Sequence, residues 1–452
     1  MNKNLFFFKT EDNNYFLFNA CQQRITKLPL SLYKALFDNS FSIDMLSKNQ
    51  KSFYEKITDT VCNEIIKTSL PFVNVTLANS NICNLNCSYC HRKSSEQNQL
   101  SFEKVESILD FVIKNYAPSA KGYVVDFDLQ GEPLRNIENL KLFQKIKDKY
   151  TDILSKQNKW IFFSFITNGT CVTETVAKRL KEIGIVKQTV SIDGPDYIHD
   201  FSRKYINGTG SHYDVVKGIK ELQKVNIKIH ASCVITARYP KLYEILEYFL
   251  DLKIDSVHFQ LVRAPAPYCF NQKSLTSLLN DLDKIYEKLY EDIINDDLAM
   301  LYLLRDSIIM FPIKNILLNT KSITRCNWKE KIVIDMNGDI YPCLGFIGNG
   351  AFCYGNIKDS NLDKAKLEIR NTVDNHGDCK NCWARYLCGG FCHLVSINEN
   401  SCLEMKSPIE CRFRKFIIEK SLILFAKLFD KNSLDKIILP LCKDDLCNIS
   451  NK

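Results

Sequence analysis

Three thiols share one short loop, Cys83-Asn84-Leu85-Asn86-Cys87-Ser88-Tyr89-Cys90, at a spacing that lets them converge on a single centre. Three thiolates fill three corners of a four-iron cube and leave one iron open, whereas a closed iron–sulfur site takes four cysteines. A zinc site or three unrelated buried cysteines are the chemical alternatives. A second array lies far along the chain. Cys326 is followed by eleven residues, Gly338, four residues and Cys343; then come Cys379-x2-Cys382-x5-Cys388-x3-Cys392 and, eighteen residues later, Cys411. Paired cysteines of this kind suit zinc as well as iron–sulfur chemistry. Between the two arrays, three polar and glycine-containing stretches each follow an apolar run: Gln130-Gly131-Glu132-Pro133, Thr167-Asn168-Gly169 and Ser191-Ile192-Asp193-Gly194-Pro195. Glycine there permits close backbone approach, and each polar neighbour presents a donor or an acceptor.

Composition limits the classes of function. At 452 residues, two to four domains are expected. Nineteen cysteines is a high count, and ten of them fall in the spacings above. The start, Met1-Asn2-Lys3-Asn4, leads into only a four-residue apolar run before Lys9 and Glu11, so no secretion signal is expected. No stretch approaches a membrane span, Leu422–Leu428 being broken by Lys427. A cysteine-rich chain without a secretion signal argues for metal ligands in a reducing cytoplasm. The formal charge of +8 counts cysteines as neutral, and any that serve as thiolate ligands would alter it. The lysines are scattered, and no nucleic-acid partner is expected.

The elements that must position these residues follow from periodicity. Residues 1–70 read as a separate unit: strands at Leu5–Phe8, Tyr15–Asn19 and Ile25–Leu28, then helical spacing at Leu32, Ala35 and Leu36 and at Tyr54, Ile57, Val61 and Ile65. Residues 71–265 alternate strand and helix, which argues for a parallel α/β sheet. Val73–Leu77 is its first strand; strands at 122–129, 160–166, 187–192, 226–235 and 255–262 alternate with helices, Ser101 and Thr173 opening two of these. Six βα-type units make a partial barrel, and the three polar stretches lie at the C-terminal ends of its strands, where a barrel carries its chemistry. Residues 266–322 hold helical stretches 273–294 and 297–311 as a bridge. Residues 323–412 hold the second array, with a hairpin about Met336-Asn337-Gly338 drawing Cys326 and Cys343 together. Residues 413–452 read as a helix and tail.

The CxxxCxxC loop, with Tyr89 before its last cysteine, closely resembles the signature of the radical S-adenosylmethionine (SAM) enzymes. That resemblance implies a partial (β/α)6 TIM barrel in which Cys83, Cys87 and Cys90 hold a [4Fe–4S] cluster whose open iron chelates SAM. Gly131-Glu132-Pro133 matches the family's GEP motif, with Gln130 where a glycine is common. Asp193-Gly194-Pro195 through His199, Asp200 and Arg203 matches a further motif. By resemblance, Gly131 and Glu132 face the SAM ammonium, Ser191 and Arg203 the ribose and carboxylate, and Tyr89 the adenine. The seven-cysteine order of the second array closely resembles the SPASM domain, which carries two auxiliary clusters. It implies Cys326, Cys343 and Cys392 on the first, and Cys379, Cys382, Cys388 and Cys411 on the second, making three [4Fe–4S] clusters in all. A fourth ligand expected before Cys326 is missing from positions 316–325; Cys353 or Cys269 substitutes, or the site is open. Residues 1–70 resemble the winged-helix leader-recognition domain of peptide-modifying enzymes, in which a precursor peptide adds a strand to a sheet edge.

These resemblances imply a radical SAM/SPASM maturase of a ribosomally made precursor peptide with a leader, in the cytoplasm, served by an electron donor such as flavodoxin or ferredoxin. The stretch Cys382-Trp383-Ala384-Arg385-Tyr386-Leu387-Cys388-Gly389-Gly390 resembles maturases that join a cysteine sulfur to a carbon (ranthipeptide or sactipeptide type). Sulfatase maturation is the nearest rival; there an aspartate follows the second SPASM cysteine as base, and here it is Leu344. Peptide epimerisation, carbon–carbon crosslinking, or a leader-binding or electron-transfer protein without SAM chemistry are the other readings.

Overall fold

The computed structural model describes residues 3–37, 46–59, 72–78, 82–90, 100–127, 131–264, 268–326, 330–359, 362, 372–400, 402, 403 and 405–449, except for the side chains of 35, 37 and 443–449. Gln130, Val61, Ile65 and the last two residues of the expected strand 122–129 lie outside them.

Three strands open the chain: β1 (Leu5–Lys9), β2 (Tyr15–Asn19) and β3 (Arg24–Leu28) form an antiparallel sheet in the order β1-β2-β3. Helices α1 (Leu30–Phe37) and α2 (Lys48–Thr58) follow. The Asn19 amide fastens α2 to the sheet, donating to the carbonyls of Ile57 at 3.0 Å and Asp59 at 2.8 Å. One face of the sheet packs on the helices through Leu17, Leu28, Leu32 and Ile57. The other face does not belong to a separate unit. Phe8, Phe16 and Phe18 form one core with Val373, Tyr386, Leu387, Ile418 and Leu422, and Cys379, Cys382 and Cys388 pack against it. Phe6 stacks on Trp383 with ring centroids 3.9 Å apart. Cys21, just after β2, is disulfide-bonded.

The central sheet runs β4 (Phe72–Leu77), β5 (Gly122–Phe127), β6 (Trp160–Thr167), β7 (Lys187–Ser191), β8 (Lys228–Ile235) and β9 (Ser256–Leu261), every neighbouring pair parallel. Helices α3 (Phe102–Phe111), α4 (Glu138–Ser155), α5 (Glu174–Glu182), α6 (Asp196–Ser202), α7 (His212–Lys224) and α8 (Leu242–Asp251) fall between the strands. Ser101 and Thr173 cap α3 and α5 as their positions required, each hydroxyl accepting an amide three residues on. Strict alternation shows in β8: Ile229, Ala231, Cys233 and Ile235 are buried, while His230, Ser232 and Val234 are only partly covered. The expected six-strand sheet is in fact eight-stranded. β10 (Lys331–Ile334) pairs parallel with β4, Ile332 opposite Val75, and β11 (Ile340–Tyr341) closes an antiparallel hairpin on it. The hairpin between Cys326 and Cys343 of the second cysteine array is thereby bonded into the sheet that carries the first.

The bridge is α9 (Gln272–Ile294), α10 (Ala299–Leu304) and α11 (Phe311–Leu317). The single helix expected over 297–311 is broken, and Pro312 sits at the start of α11, where a missing amide costs no hydrogen bond. The helix Pro408–Asp430 packs along α9, with the Tyr286 hydroxyl bonded to Ser421 at 2.8 Å. Among the described residues, no helix is long and apolar enough to cross a membrane.

Because Phe16 is fully buried in the core shared by the N-terminal sheet and the second cysteine array, Phe16→Ala should destabilise the whole assembly by about 3–5 kcal/mol. A thermal melt should fall accordingly. An unchanged melting temperature would show that the first sheet is an independent unit.

Candidate active site

The loop after β4 is positioned by backbone bonds on two sides. Asn86 N donates to Lys204 O at 2.8 Å and Ser88 N to Ser202 O at 2.9 Å, and Leu85 bridges Tyr205. From the other side, Glu132 N donates to Ile82 O at 2.7 Å. Gly131 is obligatory for that contact, since a Cβ there would lie 2.1 Å from the Ile82 oxygen. Arg135 reaches the Cys83 carbonyl at 3.3 Å, and the Asn168 amide bonds Asn84 Oδ1 at 2.9 Å. The stretches at the ends of β5 and β6 thus clamp the cysteine loop.

Glu132 is the buried rivet of that clamp. Its Oε1 accepts from Thr167 Oγ1 at 2.6 Å and Leu134 N at 3.0 Å, and its Oε2 from Asn168 N at 2.6 Å. Burial pushes its carboxyl up to about 7, against three hydrogen bonds that favour the ionised form.

At the end of β7 the Asp193 carboxylate joins two residues selected from sequence. Oδ2 accepts from the Tyr89 hydroxyl at 2.5 Å and from Arg203 Nε at 2.9 Å, and Oδ1 accepts from Val234 N at 2.9 Å. The Arg203 guanidinium lies 5.5 Å from the Tyr89 ring centroid. Burial opposes the Arg203 charge, but the Asp193 carboxylate paired with it outweighs that, so the group stays firmly protonated. Ser191, half-buried on β7, stands opposite Ser232 of β8. Behind them is a relay that joins the motif residues Asp193, His199 and Arg203 to Ser211, which no sequence motif singled out. Asp193 N donates to His199 Nδ1 at 3.3 Å, His199 Nε2 faces Ser211 Oγ at 3.1 Å, and that hydroxyl donates to Arg203 O at 2.7 Å. A backbone N–H only donates, so Nδ1 accepts and Nε2 carries the proton. Burial, then the nearby Arg203 and His212, hold His199 well below its usual range and keep it neutral.

The ten selected thiols lie in three neighbourhoods. Cys83, Cys87 and Cys90 lie within electrostatic reach of one another, Cys343 and Cys392 within reach of Cys326, and Cys382 and Cys388 within reach of both Cys379 and Cys411. Burial pushes Cys87 up to about 11 and Cys379 up to about 12, so neither is a stable thiolate unless a metal supplies positive charge. The donor sets therefore fit iron–sulfur centres chemically. Among the described residues, no three His, Cys, Asp or Glu converge on one metal ion; a four-iron cube takes each thiolate on a different iron and does not need that convergence. Of the candidates for a missing ligand, Cys353 points at Gly355 O at 3.5 Å and Cys269 is exposed. Leu344 opens a short 3₁₀ turn. The nearby Asp335 carboxylate is occupied in the hairpin turn, accepting the amides of Asn337, Gly338 and Asp339 at 2.9–3.0 Å. A cavity of about 690 Å³ lies between β9, residues 306–311 and the helices His393–Asn400 and Pro408–Asp430, with Gln260, Arg263, Cys269, Arg325, Cys388 and Arg414 in its wall.

Residues 80–238 match the Radical SAM superfamily. A cysteine-type anaerobic sulfatase-maturating enzyme of Clostridium perfringens is 27% identical over 347 residues, 72% of this chain and 89% of that protein. The radical SAM cyclopropyl synthase TigE of Paramaledivibacter caminithermalis is 24% identical over 447 residues, 85% of this chain and 87% of that protein. Among solved structures, the AdoMet-bound anSMEcpe matches with a TM-score of 0.65 at 23% identity, covering 82% of this chain and 98% of that one. Streptococcus suis SuiB bound to its precursor peptide SuiA matches at 0.51 and 16%, covering 90% and 99%. At those identities the structures establish a shared fold.

The Glu132 carboxyl makes a signed prediction. Its folded value, about 7, exceeds its ordinary 4.5, so its proton is held more tightly in the folded state. The stability this contributes is full below pH 4.5 and is lost as pH rises through about 7. Glu132→Gln should flatten this part of a melting-temperature profile measured on cluster-free protein; an unaltered profile would refute the assignment.

Proposed function

We propose that this radical SAM/SPASM-type enzyme matures a ribosomally made precursor peptide, joining a cysteine sulfur to a carbon of another residue. One observation carries the reading: the Cys83 loop, the strand-end stretches that clamp it and the hairpin between Cys326 and Cys343 belong to one continuous sheet, beside a cavity with Cys388 in its wall that is large enough for peptide side chains. Cys83, Cys87 and Cys90 would hold the SAM-binding cluster; Cys326, Cys343 and Cys392 a first auxiliary cluster; and Cys379, Cys382, Cys388 and Cys411 a second. When bound, these centres and SAM supply the 5′-deoxyadenosyl radical and an acceptor for the surplus electron, the chemistry of the cofactor itself.

The chain's own residues orient and shield. The Glu132 side chain is taken up by Thr167, Asn168 and Leu134, so recognition of the SAM ammonium falls to backbone oxygens beside Gly131. Tyr89 gives its hydroxyl to Asp193, and its ring would be the partner of the adenine. Ser191 and Arg203 attend the ribose and the methionyl carboxylate, the guanidinium being the donor suited to a carboxylate. The peptide would dock by its leader on the N-terminal sheet, in the cytoplasm, with flavodoxin or ferredoxin as electron donor.

Thioether formation balances as the loss of two hydrogens. One would leave as a hydrogen atom to the SAM-derived radical and the other as the thiol proton, the remaining electron going to an iron–sulfur centre held by the cysteines named above. Sulfatase-type maturation is the second reading, supported by the 27% identity to the Clostridium perfringens enzyme. Against it stands Leu344, which offers no base after Cys343.

Anaerobically reconstituted protein should be brown and hold about twelve irons per chain. Replacing Cys83, Cys87 and Cys90 together by Ala should abolish 5′-deoxyadenosine formation and spare the other two centres; continued formation would refute the assignment. Incubation with a cysteine-rich peptide encoded beside the gene should lower its mass by two hydrogens and block one thiol to alkylation. Loss of two hydrogens with every thiol still reactive would favour a carbon–carbon crosslink.

Asp193→Asn tests the SAM contacts. It leaves a buried guanidinium without its counter-charge, at a cost of about 3–5 kcal/mol. SAM affinity by calorimetry should fall, while the iron held by the second array is retained. Unchanged affinity would remove Arg203 and Tyr89 from the SAM site.

A further inference from the structure

We propose that Arg325, Glu410 and Arg414 form a charge bridge between the two auxiliary cysteine groups and set the relative reduction potentials of the centres bound there. The inference rests on the iron–sulfur reading above and concerns side chains that lie outside the ligand sets.

The three residues are placed by the cysteines themselves. Arg325 immediately precedes Cys326, and Glu410 immediately precedes Cys411. Glu410 nevertheless reaches the other group, its Oε2 accepting from Cys392 N at 3.1 Å. Its Oε1 pairs with Arg325 Nη1 and lies 3.6 Å from Arg414 Nε. Arg414, one helical turn beyond Glu410, donates Nη1 to Cys388 O at 3.4 Å. One carboxylate thus connects a guanidinium beside the Cys326–Cys343–Cys392 group to a guanidinium bonded to the Cys379–Cys382–Cys388–Cys411 group.

The arrangement is not neutral in itself. Two guanidiniums share a single carboxylate, Arg414 is 9% exposed, and its Nε has no hydrogen-bond partner. A buried excess of positive charge is costly unless something negative compensates it. Thiolate-ligated iron–sulfur centres carry net negative charge, and thiols of both groups lie within electrostatic reach, Cys326 and Cys392 of Arg325 and Cys388 of Arg414. Net charge, hydrogen bonds and solvent exposure set the potential of such a centre. Reduction adds one negative charge, which the guanidiniums favour and Glu410 opposes. An exclusively structural ion pair would need neither the second arginine nor contacts to cysteines of both groups.

The test uses the full chain reconstituted with iron and sulfide and carrying Cys83→Ala, Cys87→Ala and Cys90→Ala, so that only auxiliary centres respond. Redox titration followed by electron paramagnetic resonance reads their midpoint potentials. Glu410→Gln should raise both potentials. Arg325→Gln should lower mainly the centre of the Cys326 group, and Arg414→Gln mainly that of the Cys379 group. Arg414→Lys, which keeps the charge, should stay near the parent value. The double variant Glu410→Gln/Arg414→Gln restores the original net charge and should return toward the parent even if a single variant loses iron. The proposal is overturned if iron-replete Glu410→Gln leaves both potentials in place, if Arg414→Lys shifts as far as Arg414→Gln, or if the double variant stays displaced or loses iron like the singles. Iron analysis of the parent separates the two levels of failure. Absent auxiliary iron overturns the iron–sulfur reading, whereas full iron with unmoved potentials overturns only the charge bridge.

Discussion

The Asp193 carboxylate is the contact on which the site's geometry depends. It is 2% exposed and accepts from three segments: Tyr89 of the cysteine loop, Arg203 at the end of α6, and the backbone of β8 at Val234. A lone carboxylate at that depth would be strongly disfavoured. Charge-assisted bonds to Arg203 and a phenolic donor make the burial tolerable and fix the donors' directions. The neutral His199 relay then fixes the Asp193 amide and the Arg203 carbonyl, so the pair is held by its backbone as well as by its charges. A cysteine loop with little regular structure of its own acquires a defined place because the strand ends around it are rigid.

That dependence explains which parts were legible from sequence. The barrel strands and their helices were readable because each carries its own period and caps, Ser101 and Thr173 among them. Tyr89, Gly131, Glu132, Ser191 and Arg203 were findable because they stand in short motifs at strand ends. The partners that give them direction were harder to assign. Asp193, His199 and Ser211 are related by folding, and nothing in their spacing says which atom meets which. Glu132 illustrates the difference: its presence at the site was expected, but not that its carboxylate would be consumed in joining β5 to β6.

Long-range pairing was the other blind spot. Residues 1–70 have complete local signals for three strands and helices, so they read as a separate domain. The aromatic residues on one face of that sheet find their core in residues 373–426, and periodicity cannot say where a hydrophobic face will be buried. In the same way, β10 has the alternation of any short strand, and only the fold shows it extending the barrel sheet beside β4. Both surprises bind the second array to elements that sequence alone assigned to other domains.

A single electrostatic device recurs at each cysteine group. Cys87 has Arg203 nearby, Cys326 has Arg325, and Cys388 has Arg414 bonded to its carbonyl. Each of these guanidiniums is in turn held by a carboxylate, the buried Asp193 or the partly buried Glu410. The economy follows from the chemistry of the ligands. A group of thiolates around an iron–sulfur core is an anion in a low-dielectric setting, and a nearby cation reduces the cost of placing it there. An unpaired arginine would be nearly as costly when the centre is empty, so the carboxylate makes the pocket tolerable before loading and leaves the guanidinium in position afterwards. Arginine suits the role better than lysine because its planar fork can meet a carboxylate and a backbone carbonyl at once. The same arrangement would keep the protein's charges fixed if centres bound there changed theirs.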